Sequence, residues 1–205
     1  MAREIGITLV RHGRSKADDE GVHEGRYDSP LTEIGRAQAE KRALELLNQG
    51  LSFQLIIASP LIRAQETARI LSAILKVTVE TEQDWIEMDN GPLAGLPFDI
   101  AAKAYPRPTF RNPYERLAGN GESEWSLYTR AGRAVEKLVQ RGEGQYLVVA
   151  HGGILNAALR TILGVVPWGN EQGIVFAFGD LGYARLTYTP GQHRWVLHEF
   201  QNRLD

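Results

Sequence analysis

The triplet Arg11-His12-Gly13 places a cation, an imidazole and a flexible backbone position directly after an apolar run, residues 7–10. Arginine offers a planar fork of donors that fits phosphate or carboxylate, and histidine serves as a nucleophile, a base or a metal ligand. Gly13 allows a close approach of the backbone to a bound group. The apolar run predicts a buried strand, and open α/β sheets bind ligands beyond the carboxyl ends of their strands. The triplet is therefore a candidate anion site, with a solvated basic turn as the alternative.

Arg63 stands in a similar place after a second apolar run, residues 55–58. Ser59 and Pro60 follow that run and predict the start of a helix, with Ser59 as the N-cap and Pro60 at the first helical position. Arg63 then lies in the first helical turn, where a cation opposes the helix dipole and an anion is favoured. The alternative is an ion pair with Glu66, three residues further along the helix.

His151 follows a third apolar run, residues 146–150, which is the most strand-like stretch of the chain. Gly152 and Gly153 come next, and residues 154–163 have the apolar character of a helix. A junction of this kind presents free backbone N–H groups to an anion, although a lone histidine there can also be structural. Three strand ends in one sheet that each carry a cation or an imidazole together predict a phosphate pocket.

The elements that must position these residues alternate between strand and helix. We predict strands at residues 7–10, 55–58, 77–81, 146–150, 174–178, 184–188 and 195–200. We predict helices from Thr32 as a cap to before Gly50, and over residues 60–75, 123–141 and 154–163, with a polar loop at residues 16–30. This alternation predicts a three-layer α/β/α sandwich with a mainly parallel central sheet.

Residues 97–121 interrupt the alternation with four prolines and two glycines, and allow only a short helix at residues 100–105. We interpret the segment as a cap-like excursion over the active site within a single domain that spans residues 1–205. Loops over a rigid scaffold usually provide substrate discrimination. Candidate substrate-binding residues in the segment are Arg107, Arg111 and Arg116, and solvated charges on a proline-stiffened loop are the alternative.

The composition narrows the class of protein. A length of 205 residues with 43% hydrophobic and 23% charged residues is ordinary for a globular protein, and a net charge of −2 argues against a general nucleic-acid or membrane-surface binder. The absence of cysteine from the sequence excludes disulfides, thiolate metal sites and cysteine nucleophiles. No apolar run approaches the roughly 18 residues of a membrane span, and the amino terminus lacks a signal-peptide pattern. We therefore expect a cytoplasmic protein.

The motifs as a set resemble the histidine phosphatase superfamily, in its phosphoglycerate mutase-like branch. The resemblance rests on residues 9–13, 59–68 and 151–153, with supporting matches at residues 28–32, Gly35, residues 38–39, residues 87–96, residues 121–123 and Arg130. These matches occur in order and at family-like spacing from residue 7 to about residue 155.

The resemblance implies a role for each matched residue. His12 is expected to attack phosphorus and hold the phosphoryl group as a phosphohistidine. Arg11, Arg63 and His151 are expected to bind the equatorial oxygens and neutralise their charge. Glu87 is expected to protonate the leaving alkoxide and then to take a proton from water, with a solvated loop acid as the alternative. No metal or other cofactor is needed in this scheme.

Two positions depart from the family pattern. Asp18 stands where the family usually has a phosphate-binding Asn, and Ala94 stands where a Glu or Gln often precedes the second glycine. A carboxylate at the Asn position repels phosphate, so Asp18 must turn away, bind a proton or pair with an arginine.

His23 is a further candidate at the mouth of the pocket, whereas His193 and His198 are expected on a strand or the surface.

The sequence thus predicts a metal-independent phosphomonoesterase that acts on small phosphorylated metabolites. The expected partner is a small-molecule phosphate ester, and neither nucleic acid nor membrane is expected as a partner. The first alternative is a phosphoglycerate mutase of the same family, although the compact chain favours a phosphatase. The second alternative is a non-catalytic module that binds a phosphorylated ligand, which the joint presence of the five implied catalytic and binding residues disfavours.

Overall fold

A central sheet of six strands organises the computed structural model, which describes residues 4–204 apart from the side chain of Glu171. The strands are β1 (Ile5–Arg11), β2 (Leu55–Ala58), β3 (Val79–Thr81), β4 (Gly144–Ala150), β5 (Tyr183–Thr189) and β6 (Arg194–Gln201). Their order across the sheet is β3-β2-β4-β1-β5-β6. Neighbours from β3 to β1 pair in parallel, whereas β5 runs antiparallel to both β1 and β6. The predicted mainly parallel sheet is confirmed.

Helices cover both faces of this sheet. They are α1 (Lys16–Glu20), α2 (Glu33–Asn48), α3 (Ile62–Leu75), α4 (Phe98–Ala104), α5 (Glu124–Gln140) and α6 (Gly152–Leu163). Because side chains alternate between the faces of a strand, Leu9 of β1 packs with α5 and α6, and Val10 packs with α2 and α3. The three-layer sandwich is confirmed. None of the helices among residues 4–204 combines the length and apolar character of a membrane span.

The start of α3 differs from the prediction. Ser59 is not its N-cap, because the helix begins at Ile62 with Leu61 as a cap that makes no side-chain hydrogen bond. The backbone N–H of Ile62 instead donates to Oδ1 of Asp28 at 2.7 Å. The hydroxyl of Ser59 lies 2.7 Å from Nε2 of His151. Ser59 therefore contacts a residue at the end of another strand and does not cap its own helix.

Two further segments differ from their predictions. Residues 174–178 form no strand, because side chains of α6 take their backbone groups: Asn156 binds both the N–H and the carbonyl of Phe176, at 2.7 and 2.8 Å. The predicted polar loop at residues 16–30 contains α1, which Ser15 and Asp18 start with reciprocal side-chain hydrogen bonds to the backbone.

Residues 97–121 contain α4 and a short 3-10 turn at Leu117–Gly119. Pro97 forms an isolated β-bridge with Val22, and Arg111 exchanges hydrogen bonds with Asn170 at 2.6 and 2.8 Å. The segment is therefore fastened to two other loops. Residues 1–3 and 205 of the predicted domain lie outside the described residues. The prediction that the amino terminus lacks a signal-peptide pattern concerns this undescribed part.

Candidate active site

Three strand ends meet at one edge of the sheet because β2, β4 and β1 are neighbours. His12 follows β1 and His151 follows β4, and both side chains are buried. Their ring centroids lie 5.0 Å apart. The structure thus brings together the two histidines that the sequence places 139 positions apart (151 − 12).

One ring nitrogen of His12 is hydrogen-bonded to the backbone. Its Nδ1 lies 2.7 Å from the carbonyl oxygen of Gly13, which can only accept, so the proton is on Nδ1 and the lone pair is on Nε2. Nε of Arg63 donates to that lone pair at 3.2 Å. Burial above all, and then the charges of Arg11 and Arg63, hold the pKa of His12 well below its usual value. The ring is therefore neutral at pH 7, and its lone pair lies on Nε2.

Arg63 is fully buried and its guanidinium fork spans the pocket. Besides the contact with His12, it donates to the carbonyl oxygens of Tyr27 at 2.9 Å and of Gly25 at 2.8 Å. The alternative of an ion pair with Glu66 is wrong, because that carboxylate binds Arg36 at 3.1 Å.

Arg11 is surrounded by acceptors. Its Nη1 donates to the carbonyl oxygen of Phe178 at 3.3 Å and lies 3.4 Å from the carboxylate of Asp180. Its Nη2 lies 3.6 Å from Asp18 Oδ1. Of the three outcomes open to Asp18, the structure shows pairing with an arginine, together with a hydrogen bond that its carboxylate accepts from the backbone N–H of Ser15.

His151 lies at the N-cap position of α6, with Nε2 2.7 Å from the hydroxyl of Ser59. Its buried Nδ1 makes no hydrogen bond with any residue that the structure describes. Burial above all, and then the charge of Arg63, holds the pKa of His151 well below its usual value. A buried polar atom without a partner is costly, so this nitrogen favours a ligand that carries an oxygen.

Glu87 is not a solvated loop acid. Its carboxylate accepts backbone N–H bonds from Gly153 at 2.9 Å and Ile154 at 3.0 Å, in the first turn of α6 and directly beside His151. A Cβ on Gly153 would lie 2.5 Å from Oε1 of Glu87, so this approach requires glycine. The structure therefore brings Glu87 to the helix start that carries one of the pocket histidines.

The segment that carries Glu87 is held by Arg130, which is buried on α5. Arg130 donates to the carbonyl oxygens of Ile86 at 2.5 Å, Asp84 at 2.9 Å and Glu87 at 3.3 Å, and forms an ion pair with Glu122 at 2.7 Å. In the sequence Arg130 is only a supporting match to the family, because its contacts with residues 84–87 connect segments that are distant along the chain.

Glu24 is the pocket residue that sequence reasoning missed. Its carboxylate lies 3.5 Å from Nε of Arg63, 3.7 Å from Nε2 of His12 and 4.0 Å from Nη2 of Arg11, and it accepts a hydrogen bond from the hydroxyl of Ser15. Burial raises the pKa of Glu24 against the opposing effect of Arg63. In the sequence it is one of several acids in a polar loop, and only its place next to a glycine sets it apart.

The remaining candidates lie further out. His23 is half-buried, and its ring packs edge-on against Phe98 with centroids 4.7 Å apart. Burial lowers the pKa of His23, and the charge of Arg107 adds to the effect. Arg107 and Arg116 are exposed, and Arg111 is half-buried. No group of three or more metal-ligating side chains occurs within residues 4–204.

Comparisons with known sequences give one family. The sequence model of the histidine phosphatase superfamily (branch 1) matches residues 7–202. Phosphoglycerate mutase-like protein 4 of Arabidopsis thaliana is 32% identical over 157 residues, which cover 74% of this chain and 68% of the relative. The probable phosphoglycerate mutase GpmB of Yersinia pestis (strain Pestoides F) is 32% identical over 165 residues, which cover 78% of this chain and 76% of the relative.

Solved structures share the fold over nearly the whole chain. Bacillus stearothermophilus YhfR superposes with a TM-score of 0.84 at 23% identity, over 98% of each chain. A mycobacterial glucosyl-3-phosphoglycerate phosphatase, solved in complex with VO3, superposes with a TM-score of 0.79 at 26% identity, over 96% of this chain and 98% of that chain.

Proposed function

The chain belongs to the histidine phosphatase superfamily (branch 1), and from this premise we propose that it is a phosphomonoesterase that hydrolyses small phosphate esters through a phosphohistidine at His12. The observation that supports the proposal most is the state of the His12 ring. Its Nδ1 is bound to a carbonyl oxygen at 2.7 Å, which leaves the lone pair of the neutral ring on Nε2, beside the guanidinium of Arg63. Covalent catalysis by such a nitrogen divides one difficult displacement into two easier ones.

In the first step Nε2 of His12 forms a bond to phosphorus as the bond between phosphorus and the ester oxygen breaks. Glu87, in its carboxylic acid form, gives its proton to the departing oxygen. In the second step the Glu87 carboxylate takes a proton from water, whose oxygen displaces His12 and yields inorganic phosphate. Glu87 thereby regains its proton and His12 its lone pair.

Three side chains bind the phosphoryl oxygens in this proposal. Arg11 and Arg63 supply charge that compensates the transferring group, and such positioning and neutralisation provide most of the catalysis in phosphoryl transfer. With the hydroxyl of Ser59 donating to Nε2 of His151, the proton of that ring lies on Nδ1, which donates to a phosphoryl oxygen. Arg130 is a positioning residue, because it binds the backbone carbonyls that flank Glu87.

We further propose that the reaction needs no metal, since two arginines already supply cationic charge to the transferring group. Activity is then expected to survive exhaustive chelation, and vanadate is expected to inhibit as a mimic of the pentacoordinate transition state. The mycobacterial phosphatase solved with VO3, which is 26% identical, supports the choice of this inhibitor. A loss of activity on chelation that added metal restores would contradict this part of the proposal.

The decisive experiment measures release of inorganic phosphate from an aryl phosphate and from a panel of phosphorylated metabolites. His12→Ala is expected to abolish turnover together with an acid-labile, base-stable phosphoenzyme. The matched control is His198→Ala, because that histidine is exposed on β6 and bonds Thr187 at 2.9 Å. Turnover or a phosphoenzyme in the His12 variant would overturn the assignment, and an inactive wild-type protein that binds phosphate would favour the binding module.

A phosphoglycerate mutase is the second candidate. The names of the two relatives that are 32% identical favour it. A mutase returns the phosphoryl group from His12 to a second hydroxyl of the substrate instead of to water. Interconversion of phosphoglycerates in the presence of a bisphosphate primer, at a rate above that of phosphate release, would establish the mutase.

A further inference from the structure

Glu24 places a carboxyl group among the side chains that are proposed to hold the phosphoryl group. It is the acid that reaches Arg11, His12 and Arg63 together, at 4.0, 3.7 and 3.5 Å. Its side chain is 18% exposed, so the carboxyl lies inside the pocket and not at its rim. A phosphoryl group that is bonded to His12 and bound by these two arginines must come into close contact with it.

The pocket already holds several acids that compete with phosphate for the arginines. Asp18 and Asp180 lie 3.6 and 3.4 Å from Arg11, on the side where α1 and the loop before β5 approach. Glu24 differs from them because it also faces Nε2 of His12, the proposed site of attack. An ionised Glu24 would repel a phosphoryl group at the position where the reaction takes place.

On the basis of the proposed phosphatase activity, we propose that Glu24 is a phosphate ligand that works in its protonated form. Its carboxylic acid O–H donates to a phosphoryl oxygen, so binding of the ester and protonation of Glu24 are coupled. The proton comes from solvent when the ester binds above the pKa of Glu24, and it returns to solvent after phosphate leaves. The charge of the site, and hence its affinity for anions, therefore changes with the protonation of Glu24.

The contacts of Glu24 hold its carboxyl inside the pocket, and its burial favours the protonated form. The hydroxyl of Ser15 donates to Oε1, and Ser15 is itself buried and fixed as the N-cap of α1. The groups that face Glu24 are Arg11 and His12 at the end of β1, Ser15 and Asp18 at the start of α1, and Arg63 on α3. Burial raises the pKa of Glu24 and Asp18 adds to this, whereas the two arginines and Ser15 oppose it.

The test uses Glu24→Gln, which keeps a hydrogen-bond donor of the same shape and removes the titration. The inhibition constant of inorganic sulfate is measured from about pH 5.5 to about pH 8.5, because sulfate remains a dianion throughout and adds no titration of its own. Above the pKa of Glu24, wild-type affinity is expected to fall by up to about tenfold per pH unit more steeply than the affinity of the variant. The two proteins are expected to converge at low pH, where both present a neutral donor.

Two further proteins complete the design. Glu20→Gln is the matched control, because Glu20 is exposed at the end of α1 in the same region and is expected to keep the wild-type profile. Glu24→Ser removes the same charge with a smaller side chain, and it serves if the Gln variant fails to fold. His12 and His151 are present in all of these proteins, so a difference in pH dependence arises from the replacement of Glu24.

Parallel pH profiles in wild type and both Glu24 variants would overturn the proposal while leaving the phosphatase assignment intact. Weaker sulfate binding in Glu24→Gln at every pH would also overturn it, since the ionised carboxylate would then be helping the site. A failure of the proposed function is seen separately, as an absence of phosphate release by wild-type protein at any pH of the series.

Discussion

Nε of Arg63 lies 3.2 Å from Nε2 of His12, and the two residues come from different layers of the fold. His12 follows β1 in the sheet, and Arg63 lies in the first turn of α3. The same guanidinium holds the carbonyl oxygens of Gly25 and Tyr27, on the loop that carries Glu24. The buried side chain of Arg63 therefore connects the proposed nucleophile, His12, to the loop that carries Glu24.

This linkage predicts that Arg63→Lys loses activity although it keeps the charge. An ammonium group cannot reproduce the planar fork of donors with which Arg63 contacts three groups. We expect kcat/KM for an aryl phosphate to fall by about 10²- to 10³-fold, and the free energy of unfolding to fall by about 2 kcal/mol as buried carbonyls lose their donors. Phosphate release and urea unfolding measure the two effects. Arg36→Lys is the control, since Arg36 binds Glu33 and Glu66 outside the pocket. A wild-type kcat/KM in the Arg63 variant would rule out the fork as a phosphate ligand.

Much of this pocket could be predicted from the sequence because its parts follow apolar strands. The runs before Arg11 and His151 are buried as β1 and β4, and adjacent parallel strands bring their carboxyl ends together. Side-chain chemistry at a strand end is thus tied to a strong local signal.

The parts that could not be predicted depend on contacts between distant segments. Ser59 is a residue type that often caps helices, yet its hydroxyl is hydrogen-bonded to His151 at the end of a neighbouring strand. The first N–H of the helix donates to Asp28 instead. Residues 174–178 have strand-like composition, but Asn156 binds the backbone N–H and carbonyl of Phe176 at the centre of this stretch. Glu24 is a loop acid whose position is set by Ser15 and Arg63.

Asp84 provides a prediction about stability that is independent of the pocket. Hydrogen bonds from Arg133 at 2.7 and 3.0 Å lower its pKa from 3.8 to about 2, and Lys137 at 2.8 Å adds to this. A depressed pKa contributes stability above the unfolded-state pKa of about 4, and the contribution is lost as pH falls through about 2. Asp84→Asn is therefore expected to reduce the free energy of unfolding by about 2 kcal/mol at neutral pH, by the worth of a pKa shift of this size.

Urea unfolding of wild type and Asp84→Asn over a pH series measures this contribution. The difference between the two proteins is expected to shrink between about pH 4 and about pH 2. Asp99→Asn is the control, because Asp99 is exposed and its ion pair with Lys103 spans 3.8 Å. A difference that stays constant as the pH falls would show that the Asp84 effect does not arise from its charge.

Asp18 provides a prediction about substrate affinity. Its carboxylate lies 3.6 Å from Arg11 and competes with a phosphoryl oxygen for that cation, whereas an amide would not. Asp18→Asn is expected to lower KM for an aryl phosphate by about threefold to tenfold above pH 6, with a smaller change in kcat, in the range of a partly exposed ion pair. Asp19→Asn is the control on the same helix, because Asp19 pairs with Arg14 outside the pocket. An unchanged or raised KM would mean that the Asp18 carboxylate supports Arg11 and does not compete.

The last prediction concerns residues 97–121 and the choice of substrate. The side chains at the sheet edge can recognise only the phosphoryl group, which every phosphomonoester carries. Discrimination must come from whatever contacts the leaving group, and this segment is fastened to the loop of His23 and Glu24 through Pro97 and Val22. Arg107 adds a charge there, because it helps to lower the pKa of His23.

We therefore expect that Arg107, Arg111 or Arg116 binds a second anionic group of the substrate. Its replacement by Ala is then expected to depress kcat/KM selectively for esters whose leaving group carries a carboxylate or a second phosphate. A charge-assisted hydrogen bond of this kind contributes about 1.5–3 kcal/mol, or roughly 10- to 150-fold in kcat/KM. Hydrolysis of an aryl phosphate whose leaving group carries no charge is expected to stay within about twofold of wild type, a change worth about 0.4 kcal/mol. Lys103→Ala is the matched control from the same segment, since that lysine is exposed and paired with Asp99. Equal effects on both classes of ester, or none on either, would leave the three arginines as solvated charges on a proline-stiffened loop.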